Sequence, residues 1–91
     1  MPQLIVPGSW RNATSGQARL ELQAANLREL LEAFVHSHPT AGYRLFSPTG
    51  GLLDYHIFVV DGEQVPRMTP PEEVGLEHGS RVEIIPPLVG G

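Results

Sequence analysis

The last eight residues, IIPPLVGG at 84–91, combine the residue types with the clearest chemical use. Pro86 and Pro87 have no N–H to offer a sheet ladder, so a strand that reaches Ile85 ends there. A proline pair favours extended polyproline-type backbone, and residues 86–91 span up to ~20 Å at about 3.3 Å per residue. Leu88 and Val89 supply two apolar grips on such an arm. Gly90 and Gly91 lack side chains, so they thread a channel too narrow for other residues and approach another backbone closely. The tip is a carboxylate, ionised at neutral pH and a poor electrophile in that form. A partner that uses ATP to convert it to an acyl-adenylate turns it into an acyl donor. An unhindered glycine carboxyl suits that chemistry, so the expected reacting group is Gly91, acted on by another protein.

Other residues offer less chemistry of their own. His36 and His38, with His56 and His78, are the available imidazoles. At i, i+2 on a helix end the first two do not share a face, and with no cysteine and no acidic cluster no metal site is expected. Histidines at a helix C-terminus are favoured by the helix dipole. SPTGG at 47–51 lacks the Gly-Lys-Ser/Thr of a phosphate loop and reads as a turn. Asn12-Ala13-Thr14 matches a glycosylation sequon, which has no use in a cytoplasmic protein. Glu72 and Glu73 are adjacent, so they face apart on a helix and do not make an acid/base pair. PPEE at 70–73 reads as a surface turn or a helix start with Pro71 at its first position. Trp10 reads as a partly buried anchor, since an indole is mostly apolar area. No Ser/His/Asp or Cys/His arrangement is present, so a stand-alone enzyme is not expected.

Ninety-one residues, 41% of them apolar, with a net charge of −4, describe one soluble domain with a modest core. The absence of cysteine excludes disulfides, thiolate metal sites and a cysteine nucleophile. All six basic residues are arginine. An acidic chain with scattered arginines is a poor nucleic-acid binder. Without lysine it is also a poor acceptor for isopeptide linkage. No basic lead-in with a long apolar run opens the chain and no segment has membrane-spanning length, so a cytoplasmic location is expected, with no membrane partner.

The elements that must hold the tail follow from periodicity. QLIVP at 3–7 reads as a strand. GSWRNATSGQ is turn-rich. QARLELQ alternates, with Ala18, Leu20 and Leu22 on one face, so it reads as a second strand and closes a hairpin with a loose loop. Leu27, Leu30, Leu31, Phe34 and Val35 form the stripe of an amphipathic helix over about 26–37. Asn26 is placed as its N-cap and Glu29 as the capping-box partner. Pro39 ends that helix. TAGYRLFSPTGGLL reads as irregular with one short helical turn. DYHIFVV is apolar on both faces and reads as an interior strand. Asp61-Gly62 is a hairpin turn signal leading to EQVP. RVEII is the last strand, with Val82 and Ile84 on one face. The order β-β-α-β-β-β implies an α+β fold, a mixed sheet of four to five strands packed on one main helix, with the last strand beside the first. The boundaries expected are a domain over 1–85 and a flexible tail over 86–91.

LEHGSRVEIIPPLVGG at 76–91 resembles the ending of the β-grasp (ubiquitin-like) sulfur carriers. These include the small subunit of molybdopterin synthase and the thiamine- and cysteine-biosynthesis carriers. Leu76, Gly79, Val82, Ile84, Gly90 and Gly91 hold the positions of that ending, and Ser80 stands where the family often has Asp. The resemblance implies that an adenylating enzyme related to ubiquitin-activating enzymes activates Gly91 with ATP, and that sulfur transfer then makes a thiocarboxylate there. Gly90 supplies the narrow approach and Leu88 and Val89 line the partner's channel. Ile85 and Phe58 are expected in an apolar docking patch. No cofactor is bound by the chain itself. The implied partners are the adenylyltransferase and a sulfur-accepting biosynthetic enzyme, and a protease that trims further residues to expose Gly91 is compatible. VPGSWRNATSGQ and HIFVVDGEQV resemble the first loop and third strand of the cysteine-type carriers, and PPLVGG suits a molybdopterin synthase subunit equally well. A ubiquitin-like modifier joined through Gly91 to target lysines uses the same activation. A plain docking module predicts that deleting Gly90-Gly91 does little.

Overall fold

The computed structural model describes residues 1–52 and 56–86, with the backbone alone of Arg44. Five strands form one mixed sheet in the order β2-β1-β5-β3-β4. They are β1 (Gln3–Ile5), β2 (Arg19–Glu21), β3 (Ile57–Val60), β4 (Glu63–Gln64) and β5 (Arg81–Ile85). One long helix, α1 (Leu27–Ser37), covers one sheet face, and a single turn, α2 (Gly42–Leu45), follows it. The expected α+β architecture and element order are found, and β5 lies parallel to β1 and antiparallel to β3.

The helix forms where its stripe and its cap agree. Leu27, Leu30, Leu31 and Phe34 are buried, and Val35 packs partly buried against them. Asn26 takes extended backbone and its side chain accepts from the Glu29 N–H at 2.8 Å. The Glu29 carboxylate reaches back to the Ala25 N–H, 2.9 Å, one residue upstream of the expected box. The first bond engages a donor that a helix start otherwise leaves without a partner, and the second ties down the residue before the cap. At the other end Pro39 opens a short 3-10 turn, Pro39–Ala41.

The inner sheet face meets this stripe with Leu4, Val6, Leu20, Phe58, Val82 and Ile84, all buried. Trp10 fills the end of the core. It is 2% exposed, stacked on Phe34 with centroids 6.3 Å apart, and edge-on to His56 at 5.2 Å. The anchor reading is therefore correct, and the burial is more complete than expected.

The turn-rich segment between β1 and β2 is more ordered than its composition suggests. It forms a seven-residue 3-10 helix, Gly8–Thr14, closed by Ser15 with φ 56. Trp10 and Thr14 are its buried residues. The Thr14 hydroxyl donates to the Gln17 carbonyl at 2.7 Å, so two buried side chains hold what a count of turn residues leaves loose. DYHIFVV yields a strand only from Ile57; Asp54 and Tyr55 lie outside the described residues. The Asp61-Gly62 turn has φ 50 and 86, the left-handed pair that a type I′ hairpin needs. PPEE becomes a 3-10 turn, Pro71–Glu73, with Pro71 at its start.

Candidate functional site

β5 is the strand that delivers the chain end, and it runs through the middle of the sheet. Its alternation is strict: Val82 and Ile84 point to the helix, while Arg81, Glu83 and Ile85 point to the other face. Its start is fixed by the turn before it. Ser80 is buried, and its hydroxyl accepts from the Glu77 N–H at 2.8 Å. Gly79 takes φ 86 there, a backbone that favours glycine. Ser80, at the position where the resemblance led one to expect Asp, thus still serves the turn. The Ser80 carbonyl also accepts from the Gln3 N–H at 2.7 Å, which ties β1 to the same point. The far end of β5 is Ile85, and Pro86 follows outside the ladder.

The pairing register defines the outer face row by row. Ile57 lies opposite Ile85. Val59 and Ile5 both lie opposite Glu83, and Arg19 lies opposite Ile5. Gln3 lies opposite both Arg81 and Glu21. The face therefore has an apolar end at Ile57 and Ile85, an apolar pair Val59 and Ile5 around Glu83, and a charged end with Arg81. Ile85 is 42% exposed, and Ile57, Val59 and Ile5 are half-buried. Arg81 and Glu83 approach to 3.9 Å, with side chains about half exposed.

This register corrects one expectation. Phe58 pairs with Ile84, not with Ile85, and is 7% exposed under the helix. It belongs to the core and to the opposite face from Ile85. IFVV is apolar at every position, so the period of two gave no parity to separate the faces. The residues that share the face with Ile85 are Ile57, Val59 and Ile5. Their signal was the register of β5 with β3 and with β1, which pattern alone does not supply. Leu88, Val89, Gly90 and Gly91, expected on the arm beyond this face, lie outside the described residues.

A shallow cleft of about 240 Å³ lies beside the site, bounded by Leu27, Leu52, His56, Phe58 and the 64–71 loop. Its lining is largely apolar side chains and prolines. His36 is exposed, and the His38 ring packs against Phe34 at 5.6 Å. His78 accepts from the amino group of Met1 at 2.7 Å. Among the described residues no three His, Asp or Glu side chains gather to hold a metal ion, and no helix is long and apolar enough to cross a membrane. The chemistry open to this arrangement is docking: a rigid central strand presents an apolar edge beside the point where the chain leaves the sheet.

A family model described as the ThiS family matches residues 4–91. A search of curated proteins found no match. Among solved structures, the chain resembles the Amycolatopsis orientalis BexX/CysO complex, with TM-score 0.84, 23% identity and complete coverage of both chains. It also resembles CysO of Mycobacterium tuberculosis, with TM-score 0.81, 21% identity, and coverage of 97% of this chain and 100% of that one. SAMP1 from Haloferax volcanii aligns with TM-score 0.77 and 21% identity over 99% and 98% of the two chains. At these identities the structures speak for the fold, which is β-grasp. The family match, which takes in both the sheet and the tail, says more: the chain belongs to the ThiS family of β-grasp sulfur carriers.

Proposed function

We propose that the chain is a sulfur-carrier co-substrate whose reacting group is the Gly91 carboxyl. In the first step that carboxylate attacks ATP on a partner enzyme, giving the acyl-adenylate and pyrophosphate. In the second, hydrosulfide attacks the carbonyl carbon, the bond to AMP breaks, and a thiocarboxylate is left on Gly91, which a biosynthetic enzyme then consumes. The observation that carries this reading is the reach of the family match, which runs through the tail to residue 91. Gly90 allows the close approach, and Leu88 and Val89 grip the partner's channel. Ile85, with Ile57, Val59 and Ile5, forms the docking edge, and Phe58 serves the core. The catalytic groups belong to the partners, and ATP is theirs to bind. The segments VPGSWRNATSGQ and HIFVVDGEQV favour a cysteine-type carrier, or one that feeds a thio-containing metabolite.

Intact mass spectrometry of the protein from its own host, purified without reductant or alkali, tests this. The expected result is a population shifted by one oxygen-to-sulfur replacement, mapped to Gly91 and lost when Gly91 is deleted. Free carboxylate alone, with an adenylating partner, ATP and a sulfur source present, would overturn it. Likeness to SAMP1, a small archaeal modifier protein, favours a second reading in which Gly91 is joined to amines of other proteins. An amide-linked adduct in the same experiment would select that reading.

A further inference from the structure

We propose that Glu83 is the specificity-determining charge of the docking face: the activating partner that covers Ile85, Val59 and Ile5 sets a guanidinium against the Glu83 carboxylate. The inference rests on the sulfur-carrier reading and deepens it, by naming a group that the partner must bring.

Folding alone gives little reason for a glutamate here. Glu83 is the middle residue of β5, and β5 is the middle strand of the sheet. Glutamate is depleted in strands. A charge in a sheet gains from an opposite charge directly across from it, but the residues across from Glu83 are Val59 on one side and Ile5 on the other. Ile85, two residues further along β5, shares the same face. The carboxylate therefore stands among three apolar side chains, with its own side chain 44% exposed.

The chain's own cations serve it poorly. Among the described residues Arg81 comes nearest, with its Nε 3.9 Å from the Glu83 Oε1 and its side chain 54% exposed. That distance is too long for a hydrogen bond, and an exposed pair of this kind contributes little. Arg19 lies opposite Ile5 on β2, two strands from Glu83 and about 10 Å away at the usual strand spacing. The carboxylate thus keeps acceptor sites that water fills in the free protein. A partner that excludes water from Ile5, Val59 and Ile85 strips those sites as well. A carboxylate buried without a partner opposes docking. One met by a guanidinium accepts two parallel N–H···O bonds and favours it. Arginine suits the position better than lysine because its planar fork matches a carboxylate. The net charge of −4 attracts the same basic surface from a distance.

Two variants of the full chain test this. Glu83→Gln keeps the length and shape of the side chain and removes its charge. Arg81→Gln removes the nearest cation of the chain itself. Thermal melts first establish that each is folded at the assay temperature. The probe is the adenylyltransferase of the same host. Its Kd for each chain is measured by calorimetry at low and high salt, and kcat and KM for adenylation of Gly91 by pyrophosphate exchange. Glu83→Gln is expected to raise Kd and KM at least about tenfold, to leave kcat near wild type, and to weaken the dependence on salt. Arg81→Gln is expected to bind within about threefold of wild type or more tightly, since the partner's cation then has no competitor. Equal affinity of wild type and Glu83→Gln would overturn the inference and leave Glu83 the task of keeping an apolar face soluble. An equal loss in both variants would also overturn it, because Arg81 would then be the cation that closes on Glu83 beneath the partner. A wild type that is not adenylated at all is a different result: it sinks the carrier reading, and this inference with it.

Discussion

Trp10 stands between Phe34 and His56, where its indole closes the end of the core. It also fastens the 3-10 helix of the first loop, because its burial and that of Thr14 are what hold that segment down. Truncation to Trp10→Ala removes a large, fully buried ring and leaves a cavity, which costs about 3–5 kcal/mol in sites of this kind. Urea denaturation should show that loss, and a change below ~1 kcal/mol would mean that the loop holds without its anchor. A smaller effect is expected at Asn26. Its carboxamide accepts from the Glu29 N–H, so Asn26→Ala should cost about 1 kcal/mol. Asn26→Asp should restore most of that loss, since the carboxylate takes the same bond. If the Asn26→Asp variant were no more stable than Asn26→Ala, the helix start would be held by the Ala25–Glu29 bond instead.

At the scale of elements, the hairpin between β3 and β4 sets how β3 meets β5. Asp61 donates its N–H to the Arg81 carbonyl at 2.8 Å and accepts the Arg81 N–H on its side chain at 2.9 Å, which extends the β3–β5 ladder by one residue. Gly62 holds φ 86 in open space, so a methyl group there meets no atom and the whole cost of Gly62→Ala is backbone strain. That cost is about 1–2 kcal/mol. Gly8 also faces open space, without a left-handed φ, so Gly8→Ala should change stability by less than ~0.5 kcal/mol. Paired thermal melts distinguish the two, and equal losses would refute the strain account. The legibility of these elements differed for physical reasons. The helix was readable because its stripe, its cap and Pro39 all point to one span. β5 was readable because Val82 and Ile84 alternate with charge and Pro86 stops the ladder. The first loop was not, since Trp10 and Thr14 order it through tertiary burial. The face of Phe58 is not readable in the sequence, since four apolar residues in a row carry no face parity and only pairing with Ile84 supplies it. The ending was legible as a mark of the family, whose match runs to residue 91, and the surface beside it was not: Ile57, Val59 and Ile5 join Ile85 only once strands from three parts of the chain are in register.

Across the whole molecule the sheet separates two tasks. One face, with Phe58, Val82 and Ile84, is spent on the helix, and the other meets solvent with Ile85 at the exit of the tail. A change on the outer face should therefore alter recognition and leave folding nearly intact, while a change of the same residue type on the inner face should do the reverse. Ile85→Asp tests the first case. Ile85 is already 42% exposed, so a destabilisation below ~1 kcal/mol is expected. The new charge faces the apolar edge at Ile57, from which a partner docked as proposed would exclude water. Placing an unpaired carboxylate in such an interface costs several kcal/mol, so kcat/KM for adenylation of Gly91 should fall by about a hundredfold or more. Phe58→Ala tests the second: a loss of about 3–5 kcal/mol in stability, with kcat/KM close to wild type for the fraction that remains folded. Both variants are measured by pyrophosphate exchange with the activating partner at a temperature well below each Tm. If Ile85→Asp were activated as efficiently as wild type, the outer face would have no part in docking. Recognition would then belong to Leu88, Val89 and the two glycines alone.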